Sequence, residues 1–231
     1  MTPTGTSPGD GRRGDRSEPP PASFERVLAS RRMCRDFLTT PLQPAALEPV
    51  LRAGFRGPAA GNSDALDLVV LQGADVEGYW SITLTEERRA AFPWPGLLNA
   101  PVLVVPYVAP QRYVDRYAEH DKVGTGLGAE AASWPVPYWW VDGGAAVMAM
   151  LLAAEAAGLG ALFFGQFDHE AAVASWLGVP DGHRALGTVA LGHPGGGRST
   201  SASARRGRPD PVNRVHRRSW RADGASRSDQ P

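Results

Sequence analysis

Three arginines fall within five residues near the N-terminal end of the chain, in the run Arg31-Arg32-Met33-Cys34-Arg35. Guanidinium groups bind anions through planar, bidentate hydrogen bonds, so this cluster suits an anion such as phosphate. A basic helix end that offsets the helix dipole in solvent explains the same residues. Taken alone, the cluster favours that solvated alternative, because arginine-rich helix ends are common.

A second candidate is the run Gly61-Asn62-Ser63-Asp64, just before a predicted strand. The carboxamide of Asn62 offers a donor and an acceptor together, which could bind the edge of a heterocycle. A plain turn is the alternative, since all four residue types favour turns for backbone reasons.

A third candidate is the segment from Asp142 to Gly165, in which an alanine-rich helix, a glycine turn and a short strand follow one another. Small residues allow a flat ligand to approach closely, and Gly165 at the strand end can present its amide. Tight core packing explains most of the alanines equally well.

Arg206 and Arg208 are the last candidates. They lie two residues apart in a segment that Pro209 favours as extended, so both side chains point the same way. That arrangement suits a phosphate, and a solvated tail is an equal alternative.

Helices and strands alternate around these residues. Ser23 is a plausible N-cap of a first helix, and a second helix follows Pro44. Asp142 is expected to cap the longest helix, which ends near Gly158, and Asp168 a later one. Buried strands are predicted at residues 66–71, 101–108, 161–164 and 186–191. Such a pattern indicates a sheet covered by helices on both faces.

Residues 1–22 and 221–231 are rich in Gly, Pro, Ser and charge and are predicted to be disordered tails, which leaves one domain over residues 23–220. The stretch 111–140 has no clean period and is long for a loop, so it is predicted to be an excursion or a lid.

Composition excludes several functional classes. Lys+Arg and Asp+Glu balance at 24 each, so no net charge draws the whole chain to nucleic acid or membranes. The single cysteine excludes an intramolecular disulfide and indicates a reducing compartment. Without a secretory signal or an unbroken apolar span, the chain is predicted to be cytoplasmic.

Other kinds of site find little support. Cys34 between arginines could be reactive, but a small buried residue is the favoured interpretation. The five histidines lack metal-ligand spacing, so no metal is expected. The Gly124-x-Gly126-x-Gly128 run has the wrong spacing for a dinucleotide fingerprint.

The order of the motifs is more specific than any one of them. Arg-Arg-x-x-Arg, a Gly-Asn before the first strand, a helix ending Gly-Leu-Gly, Leu-Gly-x-x-Ala-Leu-Gly-His-Pro and the segment 206–215 follow one another. In that order they resemble the nitroreductase family over roughly residues 24–220.

This resemblance implies an α+β fold, a three-layer α/β/α sandwich with a central mixed sheet, in a homodimer that binds FMN at the subunit interface. The residues that it implies for FMN binding are Arg31, Arg32, Met33, Arg35, Asn62, Gly165, Arg206 and Arg208. It also implies NAD(P)H as electron donor and a small oxidised acceptor such as a nitroaromatic or quinone, in ping-pong exchange with no dedicated catalytic side chain.

Three departures from the family pattern bear on this expectation. Met33 stands where the family commonly has Ser, which removes a hydroxyl hydrogen bond to the cofactor. Asp64 and Ala65 replace the usual Gln-Pro after Asn62-Ser63. The aromatic stretch 134–140 could lie over the flavin, although filling a dimer interface is the slightly favoured alternative.

Two other functions remain open. One is a non-catalytic flavin-binding protein of the same fold, in which a lid closes over the FMN. The other is nucleic-acid binding by the arginine-rich C-terminal segment, which ranks low because only Trp220 could stack there and the chain is neutral overall.

Overall fold

The computed structural model describes residues 23–196 and 214–220. Residues 23–196 belong to one compact unit. The described residues 214–220 belong to a second unit, in which the rings of His216 and Trp220 stack with centroids 4.3 Å apart.

The first unit contains α-helices and β-strands in an alternating order. These are α1 (Phe24–Ser30), α2 (Pro44–Gly54), β1 (Leu66–Gln72), α3 (Ala74–Thr83), α4 (Glu86–Ala90), β2 (Val102–Val108), α5 (Pro110–Tyr117), α6 (Tyr138–Ala156), β3 (Gly160–Phe164), α7 (Glu170–Trp176), β4 (Arg184–Ala185) and β5 (Thr188–Gly192).

The strands form one sheet in the order β1-β2-β5-β3, with β4 also paired to β2. Every ladder between these strands is antiparallel. The parallel pairing in the described residues is a single bridge, between Met33 and Ala161 at the β3 edge.

Helices cover both faces of the sheet. Successive residues of β2 point to opposite faces, as strand geometry requires: Val102 and Val104 pack with α2 and α6, whereas Leu103 and Val105 pack with α3 and α7. The three-layer α+β sandwich predicted from the sequence is therefore confirmed, with antiparallel ladders between its strands where a mixed sheet was expected.

The helix ends agree in part with the predicted caps. The Ser23 side chain accepts a hydrogen bond from the Arg26 amide, and Pro44 begins α2. Gly158, with a φ of +69°, follows α6 in a conformation that glycine adopts without a steric cost.

Two predicted caps are wrong. The longest helix begins at Tyr138 rather than after Asp142, and Asp142 is a buried residue inside it. Asp168 lies in a 3-10 turn, Phe167–His169, and α7 begins only at Glu170. A polar residue before an apolar helical run marks a cap only if the chain before it leaves the helix, and local sequence does not determine that.

The predicted strand at residues 186–191 begins two residues later, at Thr188, directly after Gly187. This residue has a φ of +137°, and a Cβ there would lie 2.6 Å from the carbonyl oxygen of Phe164. The close approach interrupts the strand, so β4 and β5 lie on either side of it.

The stretch 111–140 is an excursion that packs on its own chain. It contains most of α5, two 3-10 turns (Val123–Thr125 and Ala131–Ser133) and the start of α6. Trp134 joins these parts, since its ring contacts the rings of Tyr113 and Tyr117 edge-on and its Nε1 donates to the Leu127 carbonyl. None of the helices among the described residues is long and apolar enough to cross a membrane.

Candidate functional site

The arginine run lies along the edge of the sheet. After α1 the chain passes beside β3, where the Cys34 amide donates a 2.9 Å hydrogen bond to the Ala161 carbonyl. This backbone contact holds the segment from Arg31 to Arg35 beside β3, at the edge of the sheet.

Arg31 is the most unusual member of the run. Its side chain is partly buried, and its Nη1 is fully shielded from solvent without a hydrogen-bond partner among the described residues. Leaving a buried donor unsatisfied costs about 1–3 kcal/mol, and the cost is larger when the donor is charged. An anion bound beside it would remove this cost.

Arg32 and Met33 have different surroundings. Arg32 is exposed, and its Nη1 donates to the carbonyls of Ala29 (2.7 Å) and Arg31 (2.9 Å) at the end of α1. Met33 packs against the hydrophobic clusters on both faces of the sheet. The position where the family commonly has a serine is thus part of the core here.

Arg35 and Gly165 line the same cavity, which has a volume of about 350 Å³. The Arg35 guanidinium carbon lies 5.5 Å from the centre of the Trp94 ring, a cation–π arrangement. Gly165 follows β3 directly and is exposed to solvent. The structure therefore brings these two predicted residues together.

Asn62 lies beside a different, smaller cavity of about 150 Å³. It ends a 3-10 turn, Ala60–Asn62, and is exposed with a φ of +57°. Positive φ is uncommon outside glycine, and asparagine is one of the residues that tolerate it best.

Sheet topology relates Asn62 to Gly165. Leu66 at the start of β1 pairs with Val108 at the end of β2, and Phe164 at the end of β3 pairs with Thr188 at the start of β5. Because β5 also runs antiparallel to β2, the start of β1 and the end of β3 lie at the same end of the sheet. Adjacent strands are about 4.8 Å apart, so β1 and β3 are separated by roughly 14 Å.

A buried carboxylate fixes the turn that carries Asn62. Oδ2 of Asp142, only 9% exposed, accepts hydrogen bonds from the Ala60 amide at 2.7 Å and the Tyr113 hydroxyl at 2.9 Å. Burial, and after it the Asp142 carboxylate, raise the pKa of Tyr113. The phenol thus remains a donor to Asp142 at ordinary pH.

The excursion holds the same turn from its other side. Nε of Arg116 donates to the Gly61 carbonyl at 2.8 Å. A Cβ at Gly61 would lie 2.6 Å from the Tyr117 ring, so this glycine is required both by its contact and by its φ of +65°. The contacts of Asp142 and Arg116 with this turn were not predicted from the sequence. Asp142 was interpreted as a helix cap, and residues 111–140 show no hydrophobic periodicity.

Other chemistry-bearing residues have structural partners. Burial raises the pKa of the Cys34 thiol, and Sγ donates to the Asp36 carbonyl, so Cys34 does not have the low pKa of a reactive cysteine. In the ranges 23–196 and 214–220, no three His, Cys, Asp or Glu side chains converge as a metal site. Arg206 and Arg208 lie outside the described residues.

Comparison with known proteins identifies the family of this chain. The family model described as "Nitroreductase family" matches residues 28–193, more than half of the chain. The chain belongs to the nitroreductase family. The match begins in α1 and ends beyond β5, so it includes the Arg31–Arg35 segment, the Asn62 turn and Gly165.

Three of its relatives are distant in sequence. An Archaeoglobus fulgidus protein named as an NADH dehydrogenase/NAD(P)H nitroreductase is 23% identical over 84% of this chain and 97% of its own length. Nitroreductase A of Vibrio parahaemolyticus has a similar structure, with a TM-score of 0.62, 22% identity and coverage of 86% of this chain and 77% of that one. An FMN-dependent nitroreductase of Clostridium difficile has a TM-score of 0.59 and 17% identity, covering 84% and 98% respectively.

The hydrogen bonds from the Ala60 amide and the Tyr113 hydroxyl to Asp142 yield a testable prediction. Tyr113→Phe leaves buried Asp142 with only the Ala60 amide as partner, so the free energy of unfolding should fall by about 1–3 kcal/mol. Urea denaturation measures this loss. Tyr107→Phe is the matched control, since Tyr107 is buried but its hydroxyl has no hydrogen-bond partner among the described residues; an equal loss in both variants would contradict a stabilising role for the hydrogen bond between Tyr113 and Asp142.

Proposed function

We propose that this member of the nitroreductase family is an FMN-dependent oxidoreductase that accepts electrons from NAD(P)H. The observation that carries the proposal is that Nη1 of Arg31, beside β3, is shielded from solvent and has no hydrogen-bond partner in the part of the chain that the structure describes. A phosphate monoester is a ligand of the right charge and hydrogen-bonding capacity for such a group.

The charges and hydrogen-bonding groups of the residues present suit FMN. Arg31 and Arg35 belong to one backbone segment, and would hold the phosphate and the ribityl chain. Gly165 and Asn62 occupy one end of the sheet and offer an amide and a carboxamide, the groups that bind the polar edge of a flat heterocycle. Arg206 and Arg208 are proposed to add to the phosphate contacts.

Two of the proposed contacts differ from the others. Arg32 already donates to two backbone carbonyls, so we assign it a smaller share of FMN binding than Arg31 or Arg35. Met33 offers no side-chain hydrogen bond, and its contribution is to pack the segment against β3.

Bound FMN would supply the redox chemistry, taking a hydride from NAD(P)H and passing it to a small oxidised acceptor such as a nitroaromatic or a quinone. The residues of the chain bind and orient the cofactor and the substrates. No general acid or nucleophile is assigned, because the proposed exchange does not require one.

We further propose that a second copy of this chain covers α6. Tyr138, Val141, Gly144 and Met148 are exposed at helical spacing along it, which leaves an apolar stripe in solvent. Phe24 and Leu28 of α1, which packs against α6, are exposed as well. We place the protein in a reducing, cytoplasmic compartment because its one cysteine forms no disulfide.

An absorbance spectrum of the purified protein tests the flavin proposal. The oxidised-flavin bands should be present, and they should bleach when NADH or NADPH is added without oxygen. Flavin that neither nicotinamide reduces would favour the non-catalytic flavin-binding alternative. Absence of flavin after reconstitution with FMN would overturn the proposal.

A variant at Arg31 tests the phosphate contact. Arg31→Ala should weaken FMN binding by about 1.5–3 kcal/mol, a loss of roughly one to two orders of magnitude in affinity. Because Nη1 is unpaired, the same change should not lower the stability of the FMN-free protein. Arg26→Ala, an exposed site on α1, is the control; unchanged FMN affinity in Arg31→Ala would remove Arg31 from the site.

The dimer is tested by a charge on the α6 stripe. Val141→Glu would bury a carboxylate against apolar surface in a dimer, so light scattering after gel filtration should show a monomer. Val123→Glu places the same charge at another exposed position, in the excursion, and should leave the mass unchanged. A wild-type chain that is already monomeric would contradict this proposal.

A further inference from the structure

The turn after β3 displays an aromatic ring to solvent at the site proposed for FMN. Phe167 is 87% exposed, more than any other large apolar side chain among the described residues. It lines the same cavity as Arg35 and Gly165. A Cβ at Gly165 would lie 3.3 Å from Cζ of Phe167, so the tip of the ring is close to this glycine. A ligand bound at Gly165 is therefore within reach of the ring.

The backbone of Phe167 is strained. Its φ is +48°, in the left-handed region. Asparagine and aspartate tolerate this region, whereas a bulky side chain there is an outlier that costs free energy. Such strain persists only where the surrounding structure imposes it, and it is concentrated at sites that bind ligands.

Gln166 imposes this conformation on the turn. It is 5% exposed, and its Nε2 donates to Thr188 Oγ1 at 3.2 Å, an oxygen that also shares a 2.8 Å hydrogen bond with the Tyr79 hydroxyl. The Gln166 carbonyl accepts a 3.0 Å hydrogen bond from the His169 amide. Because the side chain and the carbonyl of Gln166 are both held, Phe167 is presented in a fixed position.

An exposed ring in a strained backbone does not stabilise the turn. The hydrophobic contribution of a side chain scales with the apolar area that it removes from water, and Phe167 removes little. A ligand that covers the ring would bury this area. Aromatic rings pack best on other rings, in offset-stacked or edge-to-face arrangements. The favoured ligand is therefore a flat aromatic one.

We propose that Phe167 is a specificity-determining residue that selects flat aromatic electron acceptors over non-aromatic ones. The inference rests on the proposed function, because it places the acceptor beside a flavin held at Gly165. The acceptor's ring packs against the ring of Phe167. Phe167 itself makes no bond and carries no electron, so its effect is on the binding of the acceptor.

Steady-state kinetics of the FMN-loaded protein with two acceptors test this role. Menadione is a flat naphthoquinone, and ferricyanide is a non-aromatic acceptor. Phe167→Leu keeps an apolar side chain but removes the flat ring, so the KM for menadione should rise several-fold while the kinetics with ferricyanide stay unchanged. Phe167→Tyr keeps the ring and should retain the wild-type KM. An unchanged KM for menadione in Phe167→Leu would overturn the proposal.

A redox-inert aromatic ligand measures binding directly. Titration of the oxidised, FMN-loaded protein with 2-naphthol, followed by the change in flavin absorbance, gives a Kd. Phe167→Leu should raise this Kd several-fold, and Phe167→Tyr should not. Val123→Ala is the control for an exposed apolar side chain elsewhere, in the excursion, and should leave the Kd unchanged. Equal Kd values in Phe167→Leu and the wild type would contradict the assigned contact.

Flavin content and mass separate this inference from the function on which it rests. A wild-type protein that holds no FMN after reconstitution, or FMN that neither nicotinamide reduces, overturns both. A wild-type protein with reducible FMN and no difference between Phe167→Leu and wild type overturns only the role of Phe167. Loss of FMN or of the dimer in Phe167→Leu would make Phe167 a cofactor or interface contact, and would overturn its role in selecting acceptors.

Discussion

The amide of Cys34 donates to the carbonyl of Ala161, and this backbone contact determines where the arginine run lies. It requires very close packing, since a Cβ at Gly160 would lie 2.8 Å from the Cys34 sulfur. With the segment held at the β3 edge, Arg31 is partly buried and Arg35 reaches a cavity. The same arginines on a free helix end would be solvated and would bind an anion weakly.

The antiparallel sheet brings Asn62 and Gly165 to one end of the sheet. Asn62 precedes β1 and Gly165 follows β3, about a hundred residues later in the chain, yet β2 and β5 set both at the same sheet end. The turn that carries Asn62 is held by two hydrogen bonds, one from the Ala60 amide to buried Asp142 and one from Arg116 to the Gly61 carbonyl. A loop that carries a candidate ligand-binding residue needs such contacts, because a loop alone does not hold a ligand-binding geometry.

Sequence patterns predicted the fold well where a strand is apolar along its whole length. Continuous apolar runs gave β1, β2 and β3 to within a residue, and Ser23 and Pro44 marked helix starts. The patterns failed where a long-range contact decides the local structure. Asp142 is a polar residue before an alanine-rich run, yet its carboxylate binds Ala60, 82 residues earlier in the chain. The cavity was missed too, although four aromatic residues between 79 and 94 (Tyr79, Trp80, Phe92 and Trp94) were its available signal.

By itself the sequence determined the family, the layered α+β architecture and the kinds of residue that could bind an anion, because composition, hydrophobic period and motif order are local properties. Only the tertiary structure decided the burial and the hydrogen-bond partners of each of those residues. It shielded Nη1 of Arg31 from solvent and paired Nη1 of Arg32 with carbonyls at the end of α1, although the two residues are adjacent and chemically identical. It also separated Asn62 and Arg35 into different cavities at the sheet. Burial and partner geometry arise from contacts between distant segments, and no local pattern encodes them.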